Sequence, residues 1–125
     1  MSSELYEKGL AVRREVIGRE SVDALLAGAD EFSKPMQDLV TEYCWGAIWS
    51  RPGLDRRSRS ILNIGMLSAL NRPEALAGHI RAALLNGLTR DEIQELLLQV
   101  AVYVGMPAGL AAFSVARSVF DDLDA

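Results

Sequence analysis

Apolar residues recur every three or four positions along most of the chain, which is the spacing of one face of an α-helix. The stripe is most regular toward the carboxyl end, where it consists of Ile93, Leu96, Leu97, Val100 and Val104. β-branched residues fall within such stripes and do not form the alternating runs that are typical of strands. The pattern therefore predicts an all-α fold.

Proline, glycine and capping residues divide the pattern into about seven predicted helices. Pro35, Pro73 and Pro107 stand where a first helical turn tolerates proline, and Thr89 with Glu92 forms a capping box. The predicted helices cover residues 4–17, 22–27, 33–50, 55–70, 73–87, 89–104 and 107–123. Since no linker or internal repeat separates them, we expect one compact domain over residues 1–125.

The fourth predicted helix is apolar nearly all the way round. Such a helix must be covered on every side, and in a chain this small a second subunit is one way to cover it. We therefore expect a homo-oligomer, while a monomer with this helix at its centre stays a second possibility. The apolar residues are Ile61, Leu62, Ile64, Met66, Leu67 and Leu70.

The third predicted helix has two distinct faces. Its spacing predicts a core face that contains Met36, Leu39, Val40, Tyr43 and Ala47. The other face carries Asp38, Glu42, Trp45 and Trp49. Two tryptophans one turn apart are a large apolar area to leave in water, so we expect them to line a subunit interface or a pocket rimmed by Glu42.

Charge and composition exclude several classes of protein. A net charge of −4 over 125 residues disfavours nucleic-acid binding, because phosphates are neutralised by a basic face. No stretch approaches the roughly 20 apolar residues of a membrane span, and no signal peptide is evident. The one cysteine, Cys44, cannot form an internal disulfide, so we expect a reducing, cytoplasmic compartment. Packed as a small hydrophobe, Cys44 is expected to be buried.

The one histidine of the chain, His79, is a candidate for chemistry. It lies beside the core stripe of the fifth helix (Leu76, Ile80, Ala83 and Leu84) and is surrounded by alanines. Small neighbours leave room for a ligand, but they also permit close helix packing, so a functional and a structural role both stay open. One histidine, one cysteine and scattered carboxylates predict no metal site.

Four arginines gather around the start of the fourth helix. The positive end of a helix disfavours cations and attracts anions, so this cluster suggests a site for a small carboxylate or phosphate. Surface ion pairs with Asp55, Glu42 or another subunit are the alternative. The four residues are Arg51, Arg56, Arg57 and Arg59.

Three motifs resemble those of the carboxymuconolactone decarboxylase family: WGAIWSRPGLDRRSRS, HIRAALLNG and LLQVAVYVGMP. The resemblance covers about residues 38–120. It implies the alkylhydroperoxidase-like helical fold and a ring-forming homo-oligomer, a homohexamer or homotrimer. A related branch uses a CxxCxxxH motif for peroxidase chemistry, but Arg72 and Ala75 stand at the two cysteine positions and Ser60 at that of an upstream glutamate. Thiol peroxidase activity is therefore not expected.

The resemblance implies cofactor-independent decarboxylation of 4-carboxymuconolactone to the 3-oxoadipate enol-lactone, a step in the protocatechuate branch of aromatic-acid catabolism. The carboxylate that is lost is vinylogous to the lactone carbonyl, so the substrate is its own electron sink. No metal or organic cofactor is required. Ala75 stands where the family often has glutamate, which leaves another lactone, another ring acid or a non-catalytic ligand-binding role as alternatives.

Residue roles follow from the resemblance together with side-chain chemistry. His79 is the expected proton donor, because an imidazole titrates near neutral pH, and Glu42 is expected to orient His79 or an arginine. The expected substrate-binding residues grip a carboxylate or exclude water, and they are Arg51, Arg57, Trp45, Trp49 and Tyr103.

Overall fold

The computed structural model describes residues 3–125, and within that range it contains helices and no strand. The all-α prediction is confirmed. None of the described helices is long and apolar enough to cross a membrane. The helices are α1 (Glu4–Ile17), α2 (Arg19–Ala27), α3 (Lys34–Leu39), a π-helix (Val40–Trp49), α4 (Arg56–Ala69), α5 (Pro73–Leu85), α6 (Arg90–Val104) and α7 (Met106–Asp124).

Most helix boundaries follow the predicted caps. The Thr89 side chain accepts a hydrogen bond from the Glu92 amide, and the Glu92 carboxylate accepts one from the Thr89 amide, which confirms the capping box at the start of α6. Gly105 adopts a φ of 138° between α6 and α7, a conformation that L side chains rarely adopt. The second helix begins at Arg19, three residues earlier than predicted.

The chain folds as two compact units that divide between Arg56 and Arg57. Unit 1 contains α1, α2, α3 and the π-helix, and unit 2 contains α5, α6, α7 and nearly all of α4. The prediction of one domain stays a prediction, and the two units are described separately.

In unit 1, α1 packs closely against the π-helix at two glycines. A Cβ atom at Gly9 would overlap the carbonyl oxygen of Thr41, and one at Gly46 would lie 2.5 Å from the carbonyl oxygen of Leu5. Both obstacles are backbone atoms, which cannot move aside as a flexible side chain can. The contact between α1 and the π-helix therefore requires glycine at both positions.

A buried arginine links the same two elements. The side chain of Arg13 is only 7% exposed and donates a hydrogen bond to the Thr41 hydroxyl at 3.2 Å. Thr41 in turn donates to the carbonyl oxygen of Gln37 at 2.8 Å. Burial lowers the pKa of Arg13, because a charged guanidinium is stabilised less in the interior than in water.

The predicted core face of the third helix is wrong. Met36, Leu39 and Tyr43 are exposed, whereas Trp45 and Trp49 are 4% and 5% exposed with ring centroids 4.7 Å apart. In a π-helix each amide bonds to the carbonyl five residues earlier, so one turn takes more than 3.6 residues. The buried residues of this element are Thr41, Trp45, Gly46 and Trp49, so the face that carries the two tryptophans is the covered one.

Cys44 lies on the outer side of this π-helix and is exposed, so the prediction of a buried cysteine is also wrong. Cys44 lies next to the exposed Tyr43, which belongs to the face wrongly predicted to be the core face.

Unit 2 has a core built from all four of its helices. The predicted stripes of α5 and α6 are largely confirmed, although Val104 is 48% exposed. Contacts between α7 and both α5 and α6 close this core. Its most buried members are Ile64, Leu76, Ile80, Ala83, Ile93, Leu97, Ala112 and Val119.

The α4 helix buries only part of its apolar surface within this chain. Ile64 is fully buried, but Ile61, Leu62, Met66 and Leu70 are exposed. Together with α6, this side of α4 lines an open groove of about 620 Å³. The apolar surface of α4 is thus not covered within residues 3–125. This is the surface from which we predicted self-association.

Replacing Gly9 by alanine should lower the free energy of unfolding by about 3 kcal/mol, because the added methyl group overlaps backbone atoms of the π-helix. Urea denaturation measures the loss. The matched control is Gly78→Ala in α5, where an added Cβ meets no atom within 4 Å. That change should stabilise the protein by up to about 1 kcal/mol through helix propensity. Equal effects of the two substitutions would contradict the packing described here.

Candidate active site

His79 occupies the border between the buried and exposed sides of α5. Pro73 stands in the first turn of this helix, and Leu76, Ile80 and Ala83 point into the core of unit 2. This register leaves the imidazole partly buried. Burial lowers the pKa of His79 from its ordinary value of 6.5, since desolvation disfavours the charged ring. The folded protein at neutral pH therefore favours the neutral imidazole.

One contact of His79 is to a residue that the sequence analysis did not single out. The side-chain Nδ2 of Asn63, on α4, lies 3.4 Å from Nδ1 of the His79 ring. An amide in the middle of an otherwise apolar helix was the available signal, because such a polar group is usually retained when it has a partner. Asn63 joins the list of candidate site residues.

Ser60 stands one turn before Asn63 on α4 and is fully buried. Its hydroxyl oxygen has no hydrogen-bond partner among residues 3–125. Buried hydroxyl groups are usually paired with protein or water. Ser60 and Asn63 therefore place two polar side chains on neighbouring turns of α4, after the arginines with which this helix begins.

The arginines at the start of α4 form ion pairs. Arg57 pairs with Glu92 at the start of α6, and Arg56 pairs with Glu15 of α1 at 2.6 Å. The Thr89 amide and the Arg57 guanidinium hold the pKa of Glu92 below its ordinary value. These carboxylates differ from Asp55 and Glu42, the pairs considered from the sequence. Arg56 and Arg57 thus form surface ion pairs, which was the alternative to an anion-binding site.

The other candidate residues are distributed over the two units. Trp45 and Trp49 are buried against each other in unit 1, where Glu42 is partly buried and Arg51 is exposed in the loop after the π-helix. In unit 2, Tyr103 is 83% exposed and lines the groove between α4 and α6. The contacts described above bring together His79 with Asn63, and Arg57 with Glu92. The roles of all these residues stay predictions.

The chemistry available at His79 is that of a neutral imidazole in a partly desolvated position. Such a ring donates a hydrogen bond from one nitrogen and accepts one at the other. Within residues 3–125, no group of three or more histidine, cysteine or acidic side chains is placed to hold a metal ion. The donor nitrogen of a neutral imidazole can interact with negative charge on a ligand.

The lowered pKa of His79 predicts a pH-dependent stability. Below pH 6.5 the unfolded chain binds a proton on this ring that the folded chain does not bind, so the free energy of unfolding falls as the pH decreases. Urea denaturation at pH 7.5 and 5.5 should show a larger loss in the wild type than in His79→Gln. Equal losses in both proteins would contradict the inferred burial of the imidazole.

The chain matches the model of the carboxymuconolactone decarboxylase family over residues 34–118. It is 43% identical to 4-carboxymuconolactone decarboxylase of Acinetobacter baylyi over 118 residues, which are 94% of this chain and 88% of that protein. It is 40% identical to nitrosuccinic acid decarboxylase npaB of Metarhizium robertsii over 119 residues, which are 95% and 83% of the two chains. The chain therefore belongs to the carboxymuconolactone decarboxylase family and is a carboxy-lyase.

Proposed function

We propose that this protein decarboxylates 4-carboxymuconolactone to the 3-oxoadipate enol-lactone without a cofactor. The observation that carries the proposal is the 43% identity to a 4-carboxymuconolactone decarboxylase over nearly the whole chain. The partly buried, neutral His79 supports it, because the reaction develops negative charge on an oxygen atom. Preorganised hydrogen-bond donors at such an oxygen are a large source of rate acceleration.

The substrate itself carries the electron sink. When the bond between the ring carbon and the carboxylate breaks, the electron pair moves through the ring double bond into the lactone carbonyl and CO₂ leaves. A dienolate results. A proton then adds to the ring carbon next to the carbonyl, which gives the enol-lactone. The protein has to stabilise the dienolate oxygen and hold the acetate side chain of the substrate.

We assign the dienolate oxygen to the N–H group of His79 and the acetate carboxylate to an arginine. Arg57, at the start of α4, is one candidate, and its guanidinium would have to share or exchange the Glu92 carboxylate for that of the substrate. Arg51, in the loop after the π-helix, is the other. Glu42 is proposed to orient one of these groups, and Tyr103 to contact the substrate. The buried positions of Trp45 and Trp49 favour an indirect role, in which they support the π-helix that carries Glu42.

A second candidate reaction is the decarboxylation of nitrosuccinic acid, the substrate in the name of the relative from Metarhizium robertsii. Both compounds contain a succinate skeleton whose reacting carbon carries an electron sink, a nitro group in one and the unsaturated lactone in the other. Loss of CO₂ from nitrosuccinate places the electron pair on nitro oxygens. The same N–H donor and the same arginine therefore serve both reactions, and the shared substrate class is a succinate activated at the carbon that loses CO₂.

Assembly and cellular location belong to the same proposal. The exposed apolar side of α4 favours a homo-oligomer, a hexamer or trimer, in which a second subunit covers Ile61, Leu62 and Met66. We place the enzyme in the cytoplasm, where a chain with one exposed, unpaired cysteine stays reduced. Its lactone substrate would come from the breakdown of aromatic acids.

Release of CO₂ from three acids tests the proposed reaction and its substrate. We expect turnover of 4-carboxymuconolactone, and none of unsubstituted succinate, which has the two carboxylates but no electron sink. His79→Ala should lower kcat by at least about 100-fold, the effect of losing one donor to a developing oxyanion. Faster turnover of nitrosuccinate would favour the second candidate. If a folded protein releases no CO₂ from any of the three acids, both reactions are excluded.

The role of Arg57 is tested against its neighbour on α4. Arg57→Ala should lower kcat/KM by at least about 10-fold if the guanidinium binds a desolvated carboxylate of the substrate. Arg56→Ala is the matched control, since it removes a comparable ion pair at the adjacent position, that with Glu15. Steady-state kinetics on 4-carboxymuconolactone compare the two variants. Equal losses of kcat/KM in the two variants would mean that both arginines stabilise the start of α4 and that Arg57 does not bind the substrate.

A further inference from the structure

We propose that Asn63 is a positioning residue, which holds His79 in the tautomer with its proton on Nε2. The imidazole then meets the substrate as a neutral N–H donor and not as an imidazolium acid. This inference rests on the proposed function for the presence of a substrate, but the tautomer is a property of the protein alone.

The identity of the amide atom that faces the ring is the observation behind this proposal. The Asn63 atom that faces the ring is Nδ2, 3.4 Å from Nδ1 of His79. An amide nitrogen has two N–H donors and no acceptor. With Nδ2 toward the ring, the Asn63 amide can only donate to Nδ1, and we infer that the single proton of the neutral ring lies on Nε2.

The same contact disfavours the charged ring. An imidazolium has N–H groups at both nitrogens, so its Nδ1–H would point at the N–H groups of the Asn63 amide. Burial of His79 acts in the same direction, because it also favours the neutral ring. The two effects have independent causes and both keep His79 neutral.

A neutral Nε2–H has a defined use in this reaction. It can donate a hydrogen bond to the oxygen that becomes negative as CO₂ leaves, in a dienolate or in a nitronate. The N–H bond stays intact, and the proton that reaches carbon comes from water. This assignment differs from the sequence-based expectation that His79 itself delivers the proton.

The tautomer can be read directly, because His79 is the one histidine of the chain. Protein labelled with ¹⁵N in the histidine ring gives one pair of ring signals, and a nitrogen without a proton resonates far downfield of one that carries a proton. At pH 7.5 in the absence of substrate we expect Nδ1 in the unprotonated position and Nε2 in the protonated one. A proton on Nδ1, or an averaged mixture, would overturn the proposal.

Asn63→Asp provides the decisive variant. The carboxylate has nearly the shape of the amide but can only accept, so the ring proton should move to Nδ1 and the two signals should exchange positions. If Asn63 instead accepts from Nδ1–H in the wild type, this substitution leaves the tautomer unchanged, which contradicts the proposal. Should Asn63→Asp not fold, Asn63→Leu removes the donor without adding charge, and the signals should move toward those of the free tautomer mixture.

Asn86→Asp is the matched control. It makes the same chemical change at the residue that directly follows α5, the helix that carries His79, and the Nδ2 of Asn86 donates to the carbonyl oxygen of Ala82 at 2.8 Å. It adds a negative charge without changing the Asn63 contact, so the tautomer should stay on Nε2. If the tautomer also changes in this control, the added charge alone explains the effect of Asn63→Asp, and the positioning role of Asn63 is refuted.

Kinetics on 4-carboxymuconolactone separate this inference from the proposed function. Asn63→Asp should lower kcat by about 100-fold with little change in KM, because a donor to the oxyanion is turned away. Full activity in this variant, with the signals exchanged, would overturn the use of the Nε2–H donor. An inactive wild-type protein with the expected tautomer would instead refute the proposed substrate and leave the positioning role intact.

Discussion

The chemistry proposed for this protein depends on the contact between Asn63 of α4 and His79 of α5. A histidine exposed to water exchanges between two tautomers and a charged form. Here partial burial and one amide neighbour favour a single state of the ring. An enzyme that works through one N–H donor needs that restriction, because a donor held in place requires no reorganisation during the reaction. The core of unit 2 provides it by fixing the register of α5 through Leu76 and Ile80.

The most unusual backbone feature, the π-helix, lies in the other unit. It is stabilised by close packing against α1 at Gly9 and Gly46 and by the buried hydrogen bond from Arg13 to Thr41. Both of its tryptophans are buried, and Cys44 lies at the surface. Long π-helices are rare, and short ones are often found at functional sites.

The sequence predicted the fold class and most helix boundaries because capping boxes, proline in a first turn and glycine at helix ends act locally. The core stripes of α5 and α6 were predictable for a similar reason, since their period is that of an ordinary α-helix. The buried face of residues 34–49 was not, because the sequence does not say which of its two faces is covered by α1. The sequence also singled out His79 and the arginines by residue type. It missed Asn63, whose importance comes from its distance to a ring on another helix, and it did not identify Glu92 and Glu15 as the partners of Arg57 and Arg56.

The central claim is that the Nε2–H group of His79 donates a hydrogen bond to the oxygen of the electron sink. The most direct measurement adds muconolactone, which lacks the ring carboxylate and cannot lose CO₂ in this way, to protein with a labelled histidine ring. Saturating ligand should shift the Nε2 nitrogen and its proton, in the manner of a strengthened hydrogen bond, while Nδ1 changes little. Saturable binding that leaves both ring nitrogens unchanged would contradict the account.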